Sequence, residues 1–209
     1  MRGVTKYLVS RFGGRVVLRD EVSDVCVKFG VDAANVINYM IRYGYFVRIL
    51  RGVYYVKTLE EFKLGRAVDI HRIVSLGMDR LGLEWYFGLY TALRLNGMTH
   101  EFHNTTFIIN NRIFRPKEIT IAGSKVKFIK LKEGLFGFGV KEKDGLKFSD
   151  PEKTILDFIY IFRYRGVPEG RIISMVEEYA THIQGEKLKE YLRFYPKSVG
   201  KVVKDAGII

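Results

Sequence analysis

The 209-residue sequence contains a single cysteine, Cys26, and this scarcity excludes several architectures. One thiol supports neither a disulfide framework nor a cysteine-built zinc site, so we expect Cys26 to be a small buried residue of an intracellular protein. The sequence also lacks any run of about 18 apolar residues, the length of a membrane span, and its start is too short and charged for a secretory signal. We therefore expect a cytoplasmic protein with no membrane partner.

Negative charge is scarce as well, because 35 Lys and Arg residues face 23 Asp and Glu, which gives a net charge of +12. Residues 1–66 contribute +6 of this charge, residues 67–150 contribute +4 and residues 151–209 contribute +2. Such an excess favours a polyanionic partner such as DNA, RNA or an acidic protein. A single glutamine, Gln184, beside so many charged residues is typical of a thermophilic source.

A helix followed by a β-hairpin is the clearest pattern, and it occupies residues 31–57. Asp32 is a good N-cap because its short carboxylate accepts hydrogen bonds from free backbone N–H groups, and Gly44 lies where a C-cap glycine would. Between them, a period of 3.6 places Ile37, Met40 and Ile41 on one face. We predict a helix over residues 32–43.

The opposite face of this helix carries four polar residues at spacings of three and four, namely Asn35, Asn38, Tyr39 and Arg42. Asn bonds adenine edges, Arg bonds guanine or phosphate, and Tyr donates to phosphate oxygens. The following β-rich segments meet in a two-residue turn and place Arg48 and Arg51 to contact a DNA backbone. We predict that these six residues bind duplex DNA. The alternative is a solvated amphipathic helix beside an ordinary hairpin.

The order of elements around this helix predicts an N-terminal winged helix-turn-helix domain over residues 1–57. A first helix ends at Gly13-Gly14, a short strand covers residues 15–18, and a second helix covers residues 20–29. Thr58 and Glu61 have the spacing of a capping box, so residues 58–66 are predicted to form a helical connector.

Residues 67–209 are predicted to form one α+β domain. Amphipathic helices fit residues 67–81 and 85–97, the second on the spacing of Trp85, Leu89, Ala92 and Leu93. Strands fit residues 105–109, 117–121 and 125–131, and a hairpin surrounds Lys143-Asp144-Gly145. The expected architecture is an antiparallel sheet flanked by helices and followed by a C-terminal helical bundle.

The first helix of that bundle begins in the segment Ser149-Asp150-Pro151-Glu152. Asp150 as N-cap puts Pro151 at the first helical position, where its missing N–H costs nothing. Ser149 as N-cap would instead pair with Glu152 in a capping box. Either choice starts the same helix.

Three lysines, Lys125, Lys127 and Lys130, alternate with apolar residues along one predicted strand. A lysine-rich strand face would extend a DNA footprint or bind RNA. The alternative is an edge strand whose lysines prevent it from pairing with a strand of another molecule.

Local patterns of catalysis and metal binding are absent. His100 and His103 are three residues apart in a predicted loop, whereas the helical zinc motif spaces its histidines four apart. The glycines of residues 134–139 lack the Lys-Ser/Thr of a phosphate loop, which favours a turn. We expect no cofactor, no metal and no enzyme activity, although carboxylates that only folding brings together leave no local signature.

With these patterns in place, the sequence resembles the AbiEi-type antitoxins, transcriptional regulators of type IV toxin-antitoxin systems. Three landmarks carry the resemblance: the hairpin sequence Leu50–Val56, a helix over residues 86–97 with Met98 after it, and Asp150–Asp157. It implies a winged-helix domain that represses its own operon at inverted repeats and a C-terminal domain linked to antitoxicity. It also implies functional pairing with a nucleotidyltransferase-like toxin, without a required stable complex. Inverted repeats would suit a homodimer on DNA.

Two other functions compete with this hypothesis. The positive charge and the lysine-rich strand also suit an RNA-binding protein. Residues 67–209 would alternatively hold a nucleotide-binding or catalytic site, with the winged helix as an accessory module.

Overall fold

A computed structural model describes all 209 residues, and these divide into two compact units. Unit 1 comprises Met1–Leu83 and Thr120–Ser124, and unit 2 comprises Glu84–Ile119 and Lys125–Ile209. Helices and strands occur together in the chain, so the predicted α+β class is confirmed. None of the helices combines the length and the apolar character that crossing a membrane requires.

The first 83 residues form five helices and three strands: α1 (Arg2–Phe12), β1 (Val16–Leu18), α2 (Arg19–Lys28), α3 (Ala33–Arg42), β2 (Phe46–Leu50), β3 (Val53–Val56), α4 (Leu59–Lys63) and α5 (Ile70–Arg80). Strand β3 lies between β1 and β2 and pairs with both in antiparallel fashion. The apolar sides of α1, α2 and α3 share one core, in which Cys26 is buried as predicted. The elements expected between residues 1 and 57 are therefore all present.

Side-chain caps at the starts of α3 and α4 are those that the sequence predicts. Asp32 Oδ1 accepts a hydrogen bond from the Asn35 N–H at 2.7 Å, which starts α3 as predicted. The capping box before α4 is also confirmed, because the Glu61 N–H donates to Thr58 Oγ1 and the Thr58 N–H donates to Glu61 Oε2. Local sequence chemistry thus determines where both helices begin.

Helix α5 belongs to unit 1, which extends to Leu83, whereas the sequence predicts that the C-terminal domain begins at residue 67. The helix buries Ile73, Val74 and Met78 and packs closely on β2. A Cβ atom on Gly77 would lie 2.8 Å from Ile49 Cδ1. The sequence period detects the apolar face of this helix, but it cannot show which sheet that face covers.

The remaining residues form six strands and five helices: β4 (Trp85–Phe87), α6 (Leu89–Leu95), β5 (Thr105–Asn110), β6 (Ile119–Ile121), β7 (Ser124–Lys130), β8 (Val140–Lys143), β9 (Leu146–Ser149), α7 (Pro151–Tyr164), α8 (Glu169–Glu178), α9 (Gly185–Leu192) and α10 (Lys197–Asp205). The strands form one sheet in the order β6-β7-β5-β4-β9-β8. Helices α7 to α10 follow one another at the C-terminal end, where a helical bundle is predicted.

This sheet is mixed, and the expectation of an antiparallel sheet is wrong. Strand β5 runs parallel to β7, and β4 runs parallel to β9. The pairs β4–β5 and β8–β9 are antiparallel. Period-two alternation determines which face each side chain occupies but carries no information on the direction of a neighbouring strand.

Residues 85–97 are not the single helix predicted for them. Trp85–Phe87 is an interior strand whose three aromatic side chains are buried, in keeping with the β-propensity of aromatic residues. Gly88 separates it from α6, and a Cβ atom there would lie only 2.3 Å from Ile109 Cδ1. The four-residue spacing of Trp85 and Leu89 imitates a helical period across this junction.

Helix α7 is the buried centre of the C-terminal bundle. Asp150 Oδ1 accepts a hydrogen bond from the Lys153 N–H at 2.9 Å, with Pro151 as the first helical residue, which confirms one of the two predicted starts. Glu152 forms no capping box with Ser149, because its Oε1 accepts the Gln184 N–H at 2.9 Å instead. Helices α6, α8, α9 and α10 all contact α7.

Candidate nucleic-acid interface

Helix α3 exposes one polar face and buries the opposite one. Its buried side consists of Val36, Ile37 and Met40, which pack into the core of unit 1. Asn35, Asn38 and Arg42 are exposed, as predicted from their spacing. Because the buried side holds the helix in place, these three residues form a polar row along its exposed face.

Tyr39 belongs to this face but is also part of an aromatic row. Its ring centroid lies 4.4 Å from that of Tyr43 and 6.4 Å from that of Tyr45, and Tyr45 stacks on Phe62 at 4.2 Å. Tyr43 is 53% exposed and was not among the predicted site residues. The sequence does contain a clue to this position, because residues four apart, such as Tyr39 and Tyr43, lie on the same side of a helix.

The hairpin of β2 and β3 carries the two predicted arginines, Arg48 and Arg51, and both are exposed. A register shift between Arg48 and Leu50 lets two consecutive residues, Ile49 and Leu50, be buried while Arg48 remains in solvent. Arg51 occupies the two-residue turn with Gly52, whose φ of 81° suits glycine. The Arg19 N–H donates to the Gly52 carbonyl at 2.8 Å, which ties the turn to the start of α2.

The three lysines of β7 do not all lie on one face of the strand. Lys125 and Lys127 lie on one face of the strand and Lys130 lies on the other, because successive side chains alternate. Lys127 Nζ donates to the Pro116 carbonyl at 2.5 Å. Strand β7 lies between β6 and β5, but β6 has three residues against seven in β7, so the interpretation as a lysine-protected edge applies to part of β7 at most.

The histidine segment after α6 gathers no metal-binding set. His103 Nε2 lies 3.5 Å from Glu101 Oε2, and its ring centroid lies 4.1 Å from that of Tyr90. No group of three or more His, Cys, Asp or Glu side chains converges anywhere in the chain.

A buried ionic cluster in α7 was missed by the sequence patterns. Lys153 and Asp157 have no exposed side-chain surface, and Lys153 Nζ lies 3.6 Å from Asp157 Oδ1. Asp157 accepts hydrogen bonds from Tyr195 Oη at 2.7 Å and from Tyr86 Oη at 2.8 Å. Lys153 Nζ also donates to the Leu135 carbonyl at 2.6 Å. Both charges are therefore compensated inside unit 2.

A second set of ion pairs, at the start of α7, includes a residue that is partly exposed to solvent. Lys187 Nζ lies 2.8 Å from Asp150 Oδ2 and 2.9 Å from Glu152 Oε2, and Tyr191 Oη donates to Asp150 Oδ2 at 3.0 Å. Asp150 and Glu152 are buried, whereas Lys187 is partly exposed. The available sequence signal was a set of charged residues, DPEKTILD, at the start of an otherwise apolar helix.

Burial dominates the acid-base properties of the inner pair. It lowers the pKa of Lys153 and raises the pKa of Asp157, while their mutual attraction opposes both shifts. Burial also raises the pKa of Tyr86 and of Tyr195 well above the ordinary tyrosine value. Perturbed pKa values often mark functional sites, but here no substrate can touch either charge without opening the fold. We interpret the cluster as a stabilising network.

Comparison with known proteins supports the fold alone. No family model matches the sequence, and no curated protein matches it. The structure is similar to the crystal structure of the Rv2827c protein from Mycobacterium tuberculosis, with a TM-score of 0.60 at 14% sequence identity. The similarity covers 97% of this chain and 74% of that one.

Proposed function

We propose that residues 1–57 form a winged helix-turn-helix and that the chain is a transcriptional regulator that binds duplex DNA. The observation that carries this proposal is the exposed row of Asn35, Asn38 and Arg42 on a helix whose other side is buried. An α-helix fits the major groove, where asparagine and arginine side chains distinguish base pairs by paired hydrogen bonds. In this proposal, α3 enters the groove and these three residues contact base edges.

The neighbouring side chains supply the sequence-independent part of the proposed interface. Arg48 and Arg51 would bind phosphates from the hairpin, and the Tyr39 hydroxyl would donate to the backbone. Tyr43 is our addition to the predicted set, because its exposed ring lies against Tyr39 and near Arg42. Phosphate contacts orient a protein on DNA, whereas base contacts provide specificity.

The resemblance to AbiEi-type antitoxins extends this proposal to a biological role. We propose that the chain represses its own operon at inverted repeats, as a homodimer on DNA, and counters a nucleotidyltransferase-like toxin without a required stable complex. The support for this extension is the sequence of the three landmarks together with the DNA-binding surface proposed for α3. The second landmark counts as sequence only, because its residues form the end of β4 and α6 rather than one helix.

Single alanine substitutions divide the proposed contacts into two classes. Arg42→Ala or Asn38→Ala should cost about 1–3 kcal/mol of binding to DNA from upstream of the gene and relax its sequence preference. Arg48→Ala or Arg51→Ala should weaken binding to all sequences alike and reduce the slope of log K against log salt by about 1. Fluorescence anisotropy with upstream and scrambled duplexes measures both quantities.

Arg66→Ala is the matched control, because Arg66 is exposed and lies outside α3 and the hairpin. It should leave the preference for upstream DNA unchanged. If the four contact variants each lost affinity for upstream and scrambled DNA equally, the assignment of base contacts to α3 would be rejected.

A further inference from the structure

Unit 2 contains a groove of about 880 Å³ that the proposed DNA contacts do not use. Its walls are strand β7 with the residues after it, the loop between β5 and β6, and the C-terminal end of α7. Ligand sites commonly have volumes of roughly 300–1,000 Å³, so the groove is large enough for a ligand. We call it the basic groove. Its charged lining consists of Lys127, Lys130, Lys132 and Arg165, and its aromatic lining consists of Phe114, Phe128, Tyr160 and Tyr164.

Positive charge accumulates in the basic groove without an acidic partner in its lining. Lys127, Lys130, Lys132 and Arg165 all line it, and no carboxylate does. Partial burial and then the nearby Arg165 lower the pKa of Lys127, against a weaker opposing effect of Glu118, and burial lowers the pKa of Arg165. The dipole at the C-terminal end of α7 accounts for a cation at Arg165 but not for the lysines of β7. The lining therefore favours an anionic ligand.

Aromatic rings at the groove narrow the class of anion. Phe114 is 66% exposed and Tyr164 is 88% exposed, although both are large rings. Sites for single-stranded nucleic acid combine cations that follow the phosphates with aromatic rings that stack on bases. A duplex hides the faces of its bases in its own stack. A peptide of acidic residues alone would use the cations but not the rings. A single strand uses both features.

We propose that the basic groove binds a single-stranded oligonucleotide, with its phosphates on Lys130, Lys132 and Arg165 and its bases on Phe114 and Tyr164. The groove lies wholly within unit 2, so this site does not depend on the DNA contacts of α3. Single-stranded DNA and RNA share this chemistry, and parallel measurements with both strands distinguish them.

The test measures binding of dye-labelled oligo-dT and oligo-U of about 12 nucleotides, a length within the range that single-strand sites cover. Alanine replacement of one stacking ring typically costs about 1–3 kcal/mol, so Phe114→Ala and Tyr164→Ala should each weaken binding by at least about fivefold. Lys130→Ala should reduce the salt slope by about 0.7, the value for one phosphate of a single strand. Both rings are exposed, so these variants should keep the melting temperature of the full chain.

Matched controls use an exposed ring and an exposed lysine outside the groove. Phe102→Ala and Lys143→Ala should leave oligonucleotide binding unchanged, since these residues do not line the groove. The double variant Asn38→Ala/Arg42→Ala should lose the preference for upstream duplex and keep single-strand binding. The proposal is overturned if Phe114→Ala and Tyr164→Ala bind as tightly as the parent, or if duplex or polyglutamate competes as well as the single strand.

Discussion

Lys153 and Asp157 show how the fold accommodates two charges that have no contact with solvent. The two charges attract each other, Asp157 accepts hydrogen bonds from Tyr86 and Tyr195, and Lys153 donates to the Leu135 carbonyl. Removing one member of a buried pair leaves the other charge uncompensated, which costs more than the intact pair contributes.

Asp157→Ala is therefore expected to lower the free energy of unfolding by about 3–5 kcal/mol, because it removes the counter-charge of Lys153 and leaves two tyrosine hydroxyls without their acceptor. Asp205→Ala is the matched control, since Asp205 is exposed and its ion pair with Lys201, one helical turn away, is at the surface. That change should stay within about 0.5 kcal/mol. Urea denaturation measures both, and equal small losses would contradict the stabilising role of the cluster.

Single residues also show where sequence analysis succeeds and where it stops. The exposure of Asn35, Asn38 and Arg42 follows from the helical period, because three- and four-residue spacing is a local property. The cluster at Asp157 depends on Tyr86 and Tyr195, which lie 71 and 38 residues away in the sequence. No local sequence pattern indicates that these distant tyrosines contact Asp157.

Helix α3 depends on its first hydrogen bond for both its stability and its proposed role. Asp32 caps the helix through the Asn35 N–H, and Asn35 is one of the residues proposed to contact bases. Fraying at this end would therefore disturb the polar row as well as the fold.

Asp32→Ala should lower the free energy of unfolding by about 1 kcal/mol, the usual cost of losing an N-cap, and should weaken binding to upstream DNA. Asp32→Asn is the matched variant, because asparagine caps helices about as well as aspartate. It should retain the stability of the parent protein and bind DNA at least as tightly, since it removes a negative charge near the proposed interface. Chemical denaturation and anisotropy on the same samples test both statements. Equal destabilisation by Asn and Ala would show that the cap does not act through its hydrogen bond.

At the level of elements, the sequence predicts local structure better than it predicts which elements pair or pack together. The helices of residues 1–57, the hairpin at Arg51-Gly52 and the start of α7 at Asp150 are as predicted, because caps and turns are encoded within a few residues. The direction of β7 beside β5 and the packing of α5 on the first sheet were not predicted. Both depend on residues distant in sequence, which periodicity does not describe.

Across the whole molecule, a net charge of +12 attracts any polyanion and does not by itself select one. The two units present different candidate surfaces for binding a polyanion. Unit 1 presents a row of hydrogen-bonding side chains on α3, whereas the basic groove of unit 2 combines cations with exposed rings. We therefore expect unit 1 to bind duplex DNA and unit 2 to bind single-stranded nucleic acid.

Methylation interference on the DNA upstream of the gene tests the central claim most directly. Dimethyl sulfate modifies guanine N7, which lies in the major groove, and adenine N3, which lies in the minor groove. We predict that the parent protein is displaced by N7 methylation at specific guanines, and that Arg42→Ala becomes insensitive at the guanine that Arg42 contacts. Interference confined to adenine N3, or none above that seen with scrambled duplex, would contradict the placement of α3 in the major groove.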